Sequence, residues 1–230
     1  MEMYLLNKQL FSSVEVEATY DGLRMEVGPI HVLHVPGHCP GQVVFQVDDI
    51  LLSGDHVLES TTPHQAPEQL SHYTGLGHYL DSLERLLPLA QRVRLTLGGH
   101  EKPIFDLPGR ILDIRDMHME RLEQMLSALE EPKTILELAG EMFGEVDGYD
   151  ELLAIEEAGA HVEYLQDRAH VRLANWDELK VDPQVPWQFV RACESVAPPV
   201  PRRGIFAPAS ESPMDLGENS QAGMDRGEMN

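Results

Sequence analysis

Three short stretches each end an apolar run with glycine and then offer a side chain able to hold a metal. They are Gly37-His38 in VPGHCPGQVVF, Gly54-Asp55 in ILLSGDHVL and Gly99-His100 in LTLGGHEKPI. Glycine lets the chain turn sharply at the end of a strand, so that the next side chain stands above the sheet edge, where strands distant in sequence converge. Imidazole and carboxylate suit a borderline ion such as zinc, and a carboxylate can bridge two ions. Taken singly, a histidine after a Pro-Gly turn or an aspartate after a strand is ordinarily structural. The order and setting of all three together point to a metal centre.

The elements that must position these residues follow from the apolar pattern. From Gly28 to Gly54 the strands IHVLHV, QVVFQV and ILLSG are separated by a Pro-Gly turn and by the acidic turn Asp48-Asp49. An irregular stretch from Glu59 to Thr74, rich in Thr, Pro, His and Ser, precedes GLGHYLDSLERLLPLA, whose Leu76, Leu80, Leu83 and Leu87 share one helical face. RVRLTL is a further strand. A helix is expected from Arg110 to Glu130, with Leu122, Met125, Leu126 and Leu129 on one side and Pro132 as its stop. Thr134 and Glu137 have the spacing of a capping box, which starts another helix, and YDELLAIEEAGAHVEYL is helical in its turn. Gln166-Asp167-Arg168 reads as the turn of a small hairpin leading to HVRLA. Three helices and a hairpin in this order are the layout of a winged helix-turn-helix, with Met142, Phe143, Leu152, Leu153, Val162 and Leu165 as its core.

Charge narrows the partners. The 230-residue chain has a formal net charge of -22, so a polyanion meets a repulsive surface. Between Pro132 and Asp182, 4 Lys or Arg stand against 13 Asp or Glu, the reverse of what a phosphate-reading helix needs. Nucleic acid is therefore a disfavoured partner, and packing, lid or dimer contact suits this segment better. Cys39 and Cys193 form no C-x-x-C pair or secreted framework, which leads us to expect a reducing, cytoplasmic setting. No run approaches the ~18 apolar residues of a membrane span, and no secretory leader is evident. Cys39, beside His38, is either a thiol whose pKa a metal would lower or a small buried filler.

The three motifs, in their order, resemble the metallo-β-lactamase-fold hydrolases, a superfamily that includes glyoxalase II-like thioesterases and RNA-cleaving nucleases. The resemblance runs from about Tyr20 to Ala174, and the part from about Arg110 onward looks like the winged-helix region of the lactamase-β-2-like branch. It implies an α/β fold: the C-terminal half of an αββα sandwich over residues 1–109, then a linker helix and small winged-helix domain over 110–182. Residues 183–230 are expected to be an extended, disordered tail, since from Ala197 onward Pro, Ser, Gly, Glu and Met dominate without periodicity. His38 is then the third histidine of a first metal position, Asp55 the catalytic carboxylate bridging both metals, and His100 the ligand completing the second. His56, Thr62 and His64 would form a substrate-side loop.

The family's His-x-His-x-Asp-His motif does not occur in the sequence, and the resemblance begins at the family's second half. The complete family holds two zinc ions. Here the resemblance implies at most one weakly held ion, unless a partner chain or neighbours such as His56 or His118 complete the site. An uncovered half-sandwich invites a homo-oligomer or a companion chain. The expected activity is zinc-dependent attack of hydroxide on an ester, thioester or phosphoester of a small-molecule substrate. The alternatives are a non-catalytic fragment or interaction module, and a single-stranded RNA nuclease.

Overall fold

Alternation of apolar and polar residues builds the first sheet. In a computed structural model, which describes residues 24–192, β1 (Arg24–Val27), β2 (Ile30–His34), β3 (Val43–Val47) and β4 (Ile50–Gly54) form an antiparallel meander. β5 (Leu95–Gly98) joins parallel to β4, giving a five-stranded sheet in the order β1-β2-β3-β4-β5. The period of two in side-chain direction separates two faces. Val44, Leu51 and Thr96 are buried on one, and Phe45, Leu52 and Leu97, which are register neighbours, remain 40%, 42% and 37% exposed on the other.

A parallel pair needs a crossover, supplied by α1 (Leu76–Ala90). Its buried face is Leu76, Tyr79, Ser82, Leu83, Leu86 and Ala90. Leu80 and Leu87, expected on that face, are only half-buried, because Tyr79 turns toward the sheet and rotates the stripe. The Tyr79 hydroxyl donates to the His56 carbonyl at 2.9 Å, and the Ser82 hydroxyl donates to the Pro36 carbonyl at 2.8 Å. α2 (Leu107–Ala128) starts earlier than the apolar pattern indicates. Asp106 caps it by accepting from the Gly109 amide at 3.0 Å, and Pro108 occupies the first turn, where a missing N–H costs nothing.

The remaining elements are β6 (Lys133–Thr134), α3 (Ile135–Phe143), α4 (Tyr149–Asp167), β7 (Val171–Leu173), α5 (Trp176–Val181) and β8 (Gln188–Arg191). The Thr134–Glu137 capping box opens α3 in both of its reciprocal hydrogen bonds. Two expectations are corrected. Gln166, Asp167 and Arg168 end α4 and do not turn a hairpin; the hairpin is β7–β8, with α5 in its connection. The tail does not begin at 183 either, since Gln188–Arg191 pairs with both β6 and β7 and buries Phe189 in a sheet of order β6-β8-β7. The sequence from Ala197 onward lies outside the described residues.

Within this part Val162 and Leu165 are buried as expected, with Leu138, Ala158, Val171 and Leu179, whereas Leu152 is exposed on the outer side of α4. α4 packs on α1 and α2 as well as α3, so the described residues belong to one compact unit and do not separate after residue 109. Among the described residues no helix is long and apolar enough to cross a membrane.

His118 of α2 and His161 of α4 meet inside this junction, fully buried, with Nδ1 of one 3.2 Å from Nε2 of the other. Burial pushes both imidazoles below the usual 6.5, His118 to about 3. A depressed folded-state pKa contributes stability that is complete above the unfolded value and is lost as pH falls toward the folded one. Urea unfolding should therefore show stability declining below pH 6.5, by about 1.4 kcal/mol per pH unit for each histidine. Replacing His118 by Gln should flatten this acid limb by about one proton's worth. Identical slopes for the variant and the parent would rule out His118 as a source.

Candidate functional site

Two parallel strands ending in glycine set the site. Gly54 closes β4 with a positive φ of 53°, and the Gly99 amide donates to the Gly54 carbonyl at 2.9 Å, so the two strand ends lie side by side. Asp55 and His100, the next residues, face one another with Oδ1 and Nε2 3.8 Å apart. Both are open to solvent. A Cβ at position 99 would run into the Asp55 carboxylate, so this approach requires glycine.

His38 reaches the same edge from the β2–β3 turn. Gly37, at φ 137°, lies so close to the Tyr79 backbone that no side chain fits between them. Tyr79 thereby fixes the Pro36-Gly37-His38 turn against α1. The His38 Nδ1 is 2.8 Å from the His64 carbonyl oxygen. A carbonyl only accepts, so Nδ1 carries the proton and Nε2 keeps a free lone pair, the form that a metal ligand needs. Cys39, the neighbour of His38, senses the charge of Asp55, although burial is the main cause of its raised pKa. It is not a thiol activated by its surroundings.

The loop after Asp55 is anchored by two residues to which the sequence pattern assigns no role. Glu101, at a positive φ of 71°, accepts from the Ser60 and Thr61 amides and the Thr61 hydroxyl, bonds that hold its carboxyl well below the usual range, at about 2. Arg110 of α2 donates to the carbonyls of Leu58 at 2.6 Å and Thr61 at 2.9 Å. Neither role is visible in spacing, because each partner comes from another part of the chain.

The expected substrate-side loop divides into different roles. His56 is fully buried behind Asp55, edge-on to the Tyr79 ring at 5.2 Å, so it cannot touch a substrate. Burial, then the nearby His38 and Arg85, depress its pKa to about 3 and keep it neutral. Thr62 is half-buried. His64 turns its ring to α4, with Nε2 3.0 Å from Glu156 and Nδ1 3.4 Å from Glu157. His118 does not join the site either: its ligand atoms group with Glu157 and His161, and the Tyr79 ring packs edge-on against it at 5.6 Å.

Among the described residues a single group of potential ligands has its atoms within 4.8 Å of one another, and it is His118, Glu157 and His161 rather than the expected triplet. Its donor set suits a metal, and Glu157 and His161 lie one turn apart on α4. The charge of Glu157 is already matched, however. Burial opposes ionisation, but His64, His161, His118 and the Gln65 amide outweigh it and hold the carboxyl at about 2, while Arg121 pairs with it at 3.1 Å. The i, i+4 spacing of Glu157 and His161 was the one sequence signal for this cluster.

A groove of about 510 Å³ runs from Cys39 and Gly99 along Val43, Phe45, Leu52 and Leu97, onto the exposed sheet face. A larger cavity, about 810 Å³, lies elsewhere, between α3 and α4, and Glu145, Asp147, Asp150 and Glu151 line it.

These features define an α/β protein with candidate ligands at the C-terminal ends of two parallel strands, where such sheets bind ligands. Residues 14–100 match the metallo-beta-lactamase superfamily. A metallo-beta-lactamase family protein from Thermus thermophilus is similar at 31% identity and a TM-score of 0.61, over 76% of this chain and 54% of that one. A beta-lactamase domain protein from Burkholderia ambifaria is similar at 25% identity and a TM-score of 0.67, over 80% of this chain and 54% of that one. An atrochrysone carboxyl ACP thioesterase from Claviceps purpurea (strain 20.1) is 29% identical over 131 residues, 53% of this chain and 39% of that protein. The superfamily match covers residues 14–100, and the chain spans about half the length of the solved structures it is similar to.

Gly99 gives the site a direct test. Gly99→Ala must displace the Asp55 carboxylate, so if Asp55 holds a metal, the affinity for added zinc measured by competition with a chromophoric chelator should drop by about tenfold or more. Stability should change by no more than ~2 kcal/mol, because the position is at a surface strand end. Unchanged zinc binding in a folded variant would remove Asp55 from the site.

Proposed function

We propose that the chain carries one half of a metal-dependent hydrolase site, in which Asp55 stands between His38 and His100 and the substrate is an ester or thioester. The observation that carries this reading is His38: its Nδ1 proton is committed to the His64 carbonyl, which leaves Nε2 free at the sheet edge that also presents Asp55 and His100. Those three residues would hold the metal, and zinc, when bound, supplies Lewis-acid polarisation and an activated water. Asp55, His38 and His100 orient, while Glu101 and Arg110 keep the 58–61 loop off the open edge. A thioesterase among the relatives favours a thioester, and the net charge of -22 disfavours RNA.

Three ligands spread over two positions are few for a two-metal centre. We infer that a companion segment seated on the Phe45, Leu52 and Leu97 face supplies the others. That face is apolar, continuous with the groove beside Gly99, and the chain covers only about half of its structural relatives. A non-catalytic interaction module is the second reading, favoured by the fact that His38, Asp55 and His100 do not form one tight ligand group among the described residues.

Zinc and manganese per chain, measured after dialysis, should be retained by the parent and lost by Asp55→Ala, and hydrolysis of a small acyl-thioester should follow the metal. Metal absent from both samples would leave the interaction module. Light scattering should show Leu52→Asp shifting the protein toward monomer if a second copy of the chain covers this face; an unchanged mass would mean that no second copy does.

A further inference from the structure

The half of the site formed by His38 depends on a helix outside the region that matches the superfamily. The His64 carbonyl that accepts the hydrogen bond of the His38 Nδ1–H lies in the loop Thr62–Gln65, which no sheet ladder holds. Carboxylates of α4 hold it instead. The Gln65 amide donates to Glu157 Oε2 at 2.7 Å, and the His64 ring lies between Glu156 and Glu157. One and a half turns along the helix, Glu163 accepts the Glu68 amide at 2.6 Å and the Gln69 amide at 3.2 Å. Glu157 is itself immobile: it is buried, paired with Arg121 at 3.1 Å, and packed beside His118 and His161.

We propose that Glu157 is a positioning residue that sets the tautomer and orientation of His38 through the Thr62–Gln65 loop, making α4 part of the ligand shell. This rests on the reading of His38 as a metal ligand. A carboxylate has two acceptor oxygens and so serves Arg121 on one and the Gln65 amide on the other. Glutamine keeps only one of these oxygens and turns an NH2 donor toward either Arg121 or the Gln65 amide. Without the loop carbonyl in place, His38 is free to carry its proton on Nε2, where it blocks metal binding.

The test reads imidazole nitrogen shifts of His38 by long-range proton–nitrogen NMR on the full, metal-free chain, with zinc titrated separately. The parent should show the Nδ1–H form. Glu157→Gln should redistribute His38 toward Nε2–H and weaken zinc binding by about 10- to 100-fold. Should Glu157→Gln not fold, Arg121→Met with Glu157→Leu removes the pair as a unit and preserves packing. Either folded variant retaining a pure Nδ1–H form overturns the proposal, as does a parent that already carries Nε2–H.

In the parent alone, hydrogen exchange of the Gln65 amide probes the same link: strong protection supports it and free exchange overturns it. The tautomer is read without metal. A parent in the Nδ1–H form that loses it in the variant, yet binds no zinc, refutes only the hydrolase reading.

Discussion

Tyr79 is the contact on which the rest of the site depends. Its backbone lies against Gly37 and its hydroxyl holds the His56 carbonyl, so one residue of α1 fixes both the turn that presents His38 and the loop that follows Asp55. Its ring then touches His56 on one side and His118 on the other. A phenylalanine would keep the packing but leave a buried carbonyl without its donor, a loss of about 1–3 kcal/mol. Smaller side chains would release both loops at once. The glycine of the VPGH turn is therefore a packing requirement of the helix as much as a conformational one.

Behind Tyr79 the structure keeps charge inside the protein by matching it. Glu157, buried, pairs with the half-buried Arg121, with three histidines around the carboxylate. Buried ion pairs seldom add net stability, but removing one member is costly, which makes such a cluster a specifier of geometry. Here the geometry specified is the seating of α4 against α1 and α2, and with it the path of the loop from Thr62 to Gln69.

The legible parts of the sequence were those whose physics is local. Strand patterns and the Thr134 capping box depend on residues within a few positions of one another, and they stand where the pattern put them. The α1 stripe was displaced by one position because Tyr79, an aromatic residue with a polar tip, was not counted as core. β8 was missed because Gln188–Arg191 has no alternation strong enough to separate it from the tail, and only pairing with two strands from earlier in the chain orders it. Glu101, Arg110 and Glu157 act through backbone groups far away in sequence, and no spacing rule reports that.

The α1 crossover also has a consequence for how the site comes into being. His38 and Asp55 sit in an antiparallel meander whose contacts are short in sequence, whereas His100 joins only when the parallel β4–β5 pair has closed around the intervening helix. Non-local pairing of this kind carries the loop-closure cost before any contact rewards it. His38 and Asp55 thus rest on local pairings and His100 on a non-local one, and the Gly54–Gly99 hydrogen bond joins the two parts of the candidate site.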